Sequence, residues 1–177
     1  MAGRAPRPGT STLRAGRAAA HHQRFAIVAA RFNEAITARL VEGARHAFTV
    51  AKVPSTAVEV HWVPGSFELP QAAAHLAATG RYAGIVCVGV VIRGETPHFE
   101  HVAREAAAGI RHVAITTGVP ATYGVITALT EEQAWDRAGG KVGNRGEEAA
   151  TAALEMAGFV QRVRGHGSNS GRDHGSA

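Results

Sequence analysis

The nine residues Gly84 to Ile92, GIVCVGVVI, contain no charged or strongly polar side chain and are dominated by β-branched residues. A strand that alternates apolar and polar residues can leave one face in water. This run cannot, because both of its faces are apolar, as those of a central strand in a parallel sheet covered on both sides must be. The rest of the chain is consistent with that demand. FAIVAA (Phe25 to Ala30) and VEVHWV (Val58 to Val63) are strand-like, and a fourth strand lies within ATYGVITAL. Between them, Ile36, Leu40, Ala44, Ala47 and Phe48 recur at helical spacing, with Arg39, Glu42 and Arg45 on the opposite face. LPQAAAHLAA is a helix with Pro70 in its first turn. Thr96 is expected to cap a helix that opens at Pro97 and runs to about Thr117, ended by Gly118 and Pro120. TEEQAWDRAG forms a short helix capped by Thr130, and GEEAATAALEMAGF a final one. Strands alternating with helices predict an α/β sandwich with a mainly parallel sheet and helices on both faces.

The 177 residues are 45% hydrophobic, enough for one domain with a real core. The net charge of +5 invites a nucleic-acid partner, so its location matters. Residues 1–23 and 161–177 hold seven of the 19 basic residues and one of the 14 acidic ones, leaving twelve against thirteen in the body. A near-neutral body lacks the electrostatic footprint of a groove binder, and no nucleic-acid partner is expected. Both terminal segments are poor in apolar residues and are expected to be disordered, leaving 24–160 as the folded domain. The first has no apolar stretch of the secretory kind. Its Gly and Pro content argues against the amphipathic helix of a transit peptide. His21, His22, His166 and His174 are expected to be solvated, since flexible chain offers a metal no preformed geometry. No uncharged apolar run is long enough to span a membrane. A lone cysteine, Cys87, fits a reducing cytoplasm, and its apolar neighbours make it a core side chain.

Ligands of open parallel sheets gather at the carboxyl ends of the strands. There the chain reads Arg31-Phe32-Asn33, then Pro64-Gly65-Ser66-Phe67-Glu68, then Arg93-Gly94-Glu95-Thr96-Pro97-His98. The last segment runs into a helix and offers backbone N–H groups to an anion, although any capped helix start has the same pattern. His98, in the first helical turn beside that pocket, is a candidate for acid–base work. Phe32 and Phe67 are either core plugs or a stacking surface for a planar ring. Glu68 either accepts hydroxyls of a polyol or complements a helix dipole. Arg137 and Lys141, taken alone, are solvated charges. No metal-ligand cluster, Ser-His-Asp pattern, Cys-X-X-Cys, GxGxxG or phosphate-binding P-loop is present. What remains is condensation, isomerisation or binding chemistry.

Taken together, ARFNEAIT, VPGSFELP, GVVIRGETPHFEHV, TTGVPATYGVIT, TEEQAWDRAGGKVGNRGEEAA and ALEM resemble lumazine synthase, in order, from about Arg24 to Val160. The resemblance implies a flavodoxin-like, three-layer sandwich with a four-stranded sheet, assembled as a ring of five. It implies condensation of 5-amino-6-ribitylaminouracil with 3,4-dihydroxy-2-butanone 4-phosphate, with no cofactor and no metal. By motif, Phe32 stacks on the pyrimidine with Asn33 beside it. Ser66, Phe67 and Glu68 hold the ribityl chain and ring edge, and Val90, Val91 and Ile92 line the pocket. Glu95 and Thr96 give backbone N–H groups to the phosphate, and His98 moves protons. The neighbouring subunit supplies Tyr123, Arg137 for the phosphate, Lys141 and Arg145. Tyr123 stands where Phe is usual, Arg145 where Lys is common and Ser66 where Ala is frequent; an Arg fork is not equivalent to an ammonium. The compact AGGKVGNRGEE turn resembles members in which twelve pentamers close into a sixty-subunit shell. The location expected from the lone cysteine is cytoplasmic, and riboflavin synthase is the protein partner expected from the resemblance.

Overall fold

In the computed structural model, which describes residues 23–167, the chain forms β1 (Phe25–Ala30), α1 (Glu34–Val50), β2 (Val58–Val63), α2 (Leu69–Ala78), β3 (Gly84–Ile92), α3 (His98–Thr117), β4 (Ala121–Ala128), α4 (Glu131–Asp136), β5 (Ala138–Gly140), β6 (Gly143–Asn144) and α5 (Arg145–Gly167). Strands β1 to β4 make one all-parallel sheet in the order β2-β1-β3-β4. The apolar run is its interior strand: β3 is buried from Gly84 to Val91 and paired on both sides. This is the flavodoxin-like arrangement, and the α/β sandwich expected from the sequence is present.

The order of strands dictates which helix covers which face. Passing from β1 to β2 moves one way along the sheet, whereas β2 to β3 and β3 to β4 move the other way. Right-handed crossovers therefore put α1 on one face and α2 and α3 on the opposite one. Packing follows that division. Ile36, Leu40, Ala44 and Phe48 of α1 meet Phe25, Ile27, Val86, Val88 and Val90, and Ala150 and Ala153 of α5 join the same core. Leu69 and Ala73 of α2, with Ile110 and Val113 of α3, pack on Ala26, Val28, Ile85 and Cys87. Alternate residues of β3 thus serve different cores, which is why none of them is polar.

Most predicted boundaries agree with the structure, and three differ. Helix α3 starts at His98 after Pro97, with no side-chain capping bond, so Thr96 is not its cap. Thr130 does cap α4, accepting from the Gln133 N–H at 3.2 Å. Residues 138–144, read as a turn, form the antiparallel ribbon β5–β6. The last helix continues beyond Val160 to Gly167, where a disordered segment was expected from residue 161. On this extension Gln161 accepts from the Gln23 side chain at 3.4 Å. The basic residues before Gln23 and those after Gly167, three of the four tail histidines among them, lie outside the described residues.

The β2 edge is fastened by a polar cluster. The Glu59 carboxylate accepts from Tyr82 Oη and the Arg24 guanidinium, with Arg81 at 3.6 Å and His61 Nε2 at 3.5 Å. The Tyr82 bond foremost, then Arg24, holds the Glu59 carboxyl down to about 2. Among the described residues no helix is long and apolar enough to cross a membrane.

Candidate active site

At the carboxyl end of the sheet, β1 and β3 part company because α1 leaves β1 on one face and α3 leaves β3 on the other. A cleft opens where they separate, as parallel sheets require at a reversal of strand order. Its volume is about 480 Å³, and residues that follow all three neighbouring strands line it: Phe32 after β1, Pro64 to Glu68 after β2, Val90 to Ile92 at the end of β3, and Gly94 and Thr96 beyond. His98, Phe99 and Val102, on the first turns of α3, close the remaining side.

The two aromatics settle one open question. Phe32 is 72% exposed and Phe67 59%, so neither plugs the core. Both instead present apolar rings at the cleft, at a standing cost in hydration that a bound planar group would remove. Ser66 is the opposite case, buried at 3% exposure, its Oγ without a hydrogen-bond partner among the described atoms. It sits in the space that a side chain at residue 89 would fill: a Cβ on Gly89 would lie 2.6 Å from Ser66 Oγ and 3.2 Å from Ala30 Cβ. A glycine in the middle of β3 therefore lets the turn after β2 settle on the sheet and form the cleft floor. That turn is a short 3-10 helix over Ser66–Glu68, and the Glu68 carboxylate folds back to 3.1 Å from where Gly65 would carry a Cβ. It lies half-buried at the rim, where an acceptor can meet hydroxyls.

Of the predicted residues, Phe32, Ser66, Phe67, Glu68, Val90, Val91, Ile92, Thr96 and His98 come together at this cleft. Asn33 and Glu95 do not line it, although each adjoins a residue that does. Asn33 heads α1, its amide donating to the Val90 carbonyl at 3.0 Å. The other four lie apart from this cleft on the same chain. Tyr123 stands on β4 opposite Cys87, well before the strand's carboxyl end. Arg137 ends α4, its guanidinium donating to the Gln133 carbonyl at 2.9 Å. Lys141 lies in the turn between β5 and β6, and Arg145 opens α5 in an ion pair with Glu148. Phe99 and Val102 were missed by the sequence reading. Their spacing of three on a helix that starts at the cleft, beside His98, was the available signal.

The cleft has a chemical bias. Its lining holds an imidazole, a carboxylate, two hydroxyls and exposed aromatic rings, but no Lys or Arg. Among the described residues no group of three or more His, Cys, Asp or Glu stands close enough to bind a metal ion. Cys87 is fully buried in the second core, and desolvation pushes its thiol up to about 12, which removes it as a nucleophile.

A family model described as 6,7-dimethyl-8-ribityllumazine synthase matches residues 22–161, which include every residue of the cleft. With the parallel sheet, the cleft at its reversal point and a match over most of the chain, the chain belongs to the 6,7-dimethyl-8-ribityllumazine synthase family, transferases of riboflavin biosynthesis.

Proposed function

We propose that the cleft binds 5-amino-6-ribitylaminouracil and condenses it with 3,4-dihydroxy-2-butanone 4-phosphate, releasing phosphate and water to give 6,7-dimethyl-8-ribityllumazine. Phe32 stacks on the pyrimidine, with Asn33 beside it, and Val90, Val91 and Ile92 line the ring pocket. Ser66, Phe67 and Glu68 hold the ribityl chain, with Glu68 accepting a hydroxyl. The amine attacks the ketone, phosphate leaves, and the ring closes. Each step moves protons between groups held side by side, so orientation and one acid–base residue, His98, carry the work. The backbone N–H groups of Glu95 and Thr96 meet the phosphate.

The observation that carries this reading is the meeting at one cleft of two exposed aromatic rings, the Glu68 carboxylate and the His98 imidazole, a set that suits a planar ring bearing a polyol chain. A phosphate ester needs neutralising charge, and the lining of this cleft offers none. The site is therefore completed by a second copy, which brings Arg137 to the phosphate and Tyr123, Lys141 and Arg145 to the rim. Exposed apolar side chains support such an assembly: Leu129, Trp135 and Val142 near those residues, and Met156, Phe159 and Val163 along α5, all lie open to solvent on one chain. Five copies in a ring satisfy every interface, and twelve rings can close into a shell. The same reading places the enzyme in the cytoplasm, with riboflavin synthase downstream as a partner.

Two inactive variants test it. His98→Ala and Arg137→Ala each lose activity, but in mixed rings roughly a quarter of interfaces pair two intact contributions by random assortment, and activity returns. Arg137→Ala alone raises KM for the phosphate substrate well above any change for the pyrimidine. Verified mixed rings without rescue, or a stable monomer with full activity, contradict the shared site.

A further inference from the structure

The β1–β3 ladder ends at Ala29↔Val88, whereas β3 runs on to Ile92. Val90 therefore extends beyond its last partner on β1, at the point where the two strands separate. A buried carbonyl there needs a donor, and Asn33 Nδ2 supplies it at 3.0 Å. Asn33 can reach it because it adopts the left-handed conformation (φ 61°, ψ 41°), which asparagine tolerates far better than branched residues. The main chain of Asn33 is fastened as well: its carbonyl accepts from the N–H groups of Ile36 and Thr37 and from Thr37 Oγ1 at 3.2 Å, and Thr37 is wholly buried. One residue thus ties the head of α1 to the tail of β3. Phe32, immediately before it, has a largely exposed ring with little packing of its own, so the backbone that Asn33 fastens sets the point and the Cα–Cβ direction from which that ring projects.

We infer that Asn33 is a positioning residue that sets the width of the slot between Phe32 and Val90–Ile92, and so the enzyme's grip on a planar ring. This rests on the pyrimidine-binding reading given above. Asn33 acts through the walls it joins, so its loss is felt by the ring-bearing substrate and not by the phosphate-bearing one.

The test uses the full-length assembled enzyme with Asn33→Asp, which keeps shape and left-handed tolerance but loses the donor, and Asn33→Gly, which keeps only the backbone freedom. Both raise KM for the pyrimidine about fivefold to tenfold, the equivalent of one lost hydrogen bond. KM for the phosphate substrate and kcat stay within about twofold. In a Phe32→Ala background the Asn33→Asp penalty shrinks to about twofold or less, because the wall it positions is gone. Penalties that multiply fully in the double variant show a direct contact and overturn the inference, as does an unchanged pyrimidine KM. A second readout needs no substrate. Backbone hydrogen exchange over residues 88–96 of the free enzyme speeds up by roughly threefold or more in Asn33→Asp. Unchanged exchange sinks the positioning role whatever the kinetics show. Faster exchange with an unaltered KM in Phe32→Ala instead preserves the tie and rejects the ring-stacking reading.

Discussion

Asn144 joins two helices through one short side chain, and its removal should cost the fold measurable stability. Its Oδ1 accepts from the N–H groups of Gly146 at 2.9 Å and Glu147 at 3.2 Å, capping α5, while its Nδ2 donates to the Arg39 carbonyl on α1 at 2.9 Å. The amide fills a notch left by Gly43, where a Cβ would stand 2.2 Å from Asn144 Oδ1. Truncation in Asn144→Ala removes the cap, about 1 kcal/mol. It also removes the bond to α1, about another 1 kcal/mol, and leaves the notch empty. The expected loss is about 2–3 kcal/mol, or roughly 5–10 °C in Tm for a chain of this length. Asn144→Asp keeps the acceptor and gains a charge at the helix start but loses the bond to Arg39, so it should cost about 1 kcal/mol. Urea unfolding followed by circular dichroism at matched protein concentration measures both. Gly43→Ala supplies the cross-check. In the native background it clashes with the amide, but in Asn144→Ala those three closest atoms are gone, and alanine's helix preference of about 0.5–1 kcal/mol should offset part of the clash cost. An Asn144→Ala protein within about 0.5 kcal/mol of wild type, or one more stable than Asn144→Asp, would falsify this account.

Three further outcomes follow from the same geometry. His98→Ala should lower kcat by at most about 10²–10⁴ without unfolding the protein, since the side chain is exposed; steady-state rates and a thermal melt check both halves. Gly89→Ala should destabilise by about 1–3 kcal/mol through its clash with Ser66, and adding Ser66→Ala should recover part of that loss in denaturant titrations. The Glu59 carboxyl lies below its ordinary value of 4.5, at about 2, so its contribution is present above pH 4.5 and fades as pH falls towards 2. Acid unfolding of Glu59→Gln should accordingly be flatter across that window, and an identical acid profile would show that the cluster contributes nothing.

Much of the site could be read from the chain because its determinants are local. Phe32, Ser66 to Glu68 and His98 each follow a strand directly, and a parallel sheet brings all such positions to one edge. Phe99 and Val102 needed the placement of α3 as well as its period. Thr96 failed as a cap because Pro97 ends up in the capping position itself, leaving the helix to begin one residue later than the Thr-Pro pattern implies. Residues 161–167 continue the last helix, and Gln161 there accepts from Gln23, a contact across most of the chain that no local pattern displays. The stacking or plugging roles of Phe32 and Phe67 could not be separated without burial, which is a tertiary quantity.

Apolar runs alternating with helical periodicity pointed to a parallel sheet covered on both faces, and short-range capping and turn chemistry set most element ends. What periodicity could not specify was the closeness of approach between distant backbones. Gly89 beneath Ser66, Gly43 beneath Asn144 and Asn33 against Val90 are contacts between segments far apart in the chain. Only the packed fold decides them, because their energies depend on tenths of an ångström that no local pattern encodes.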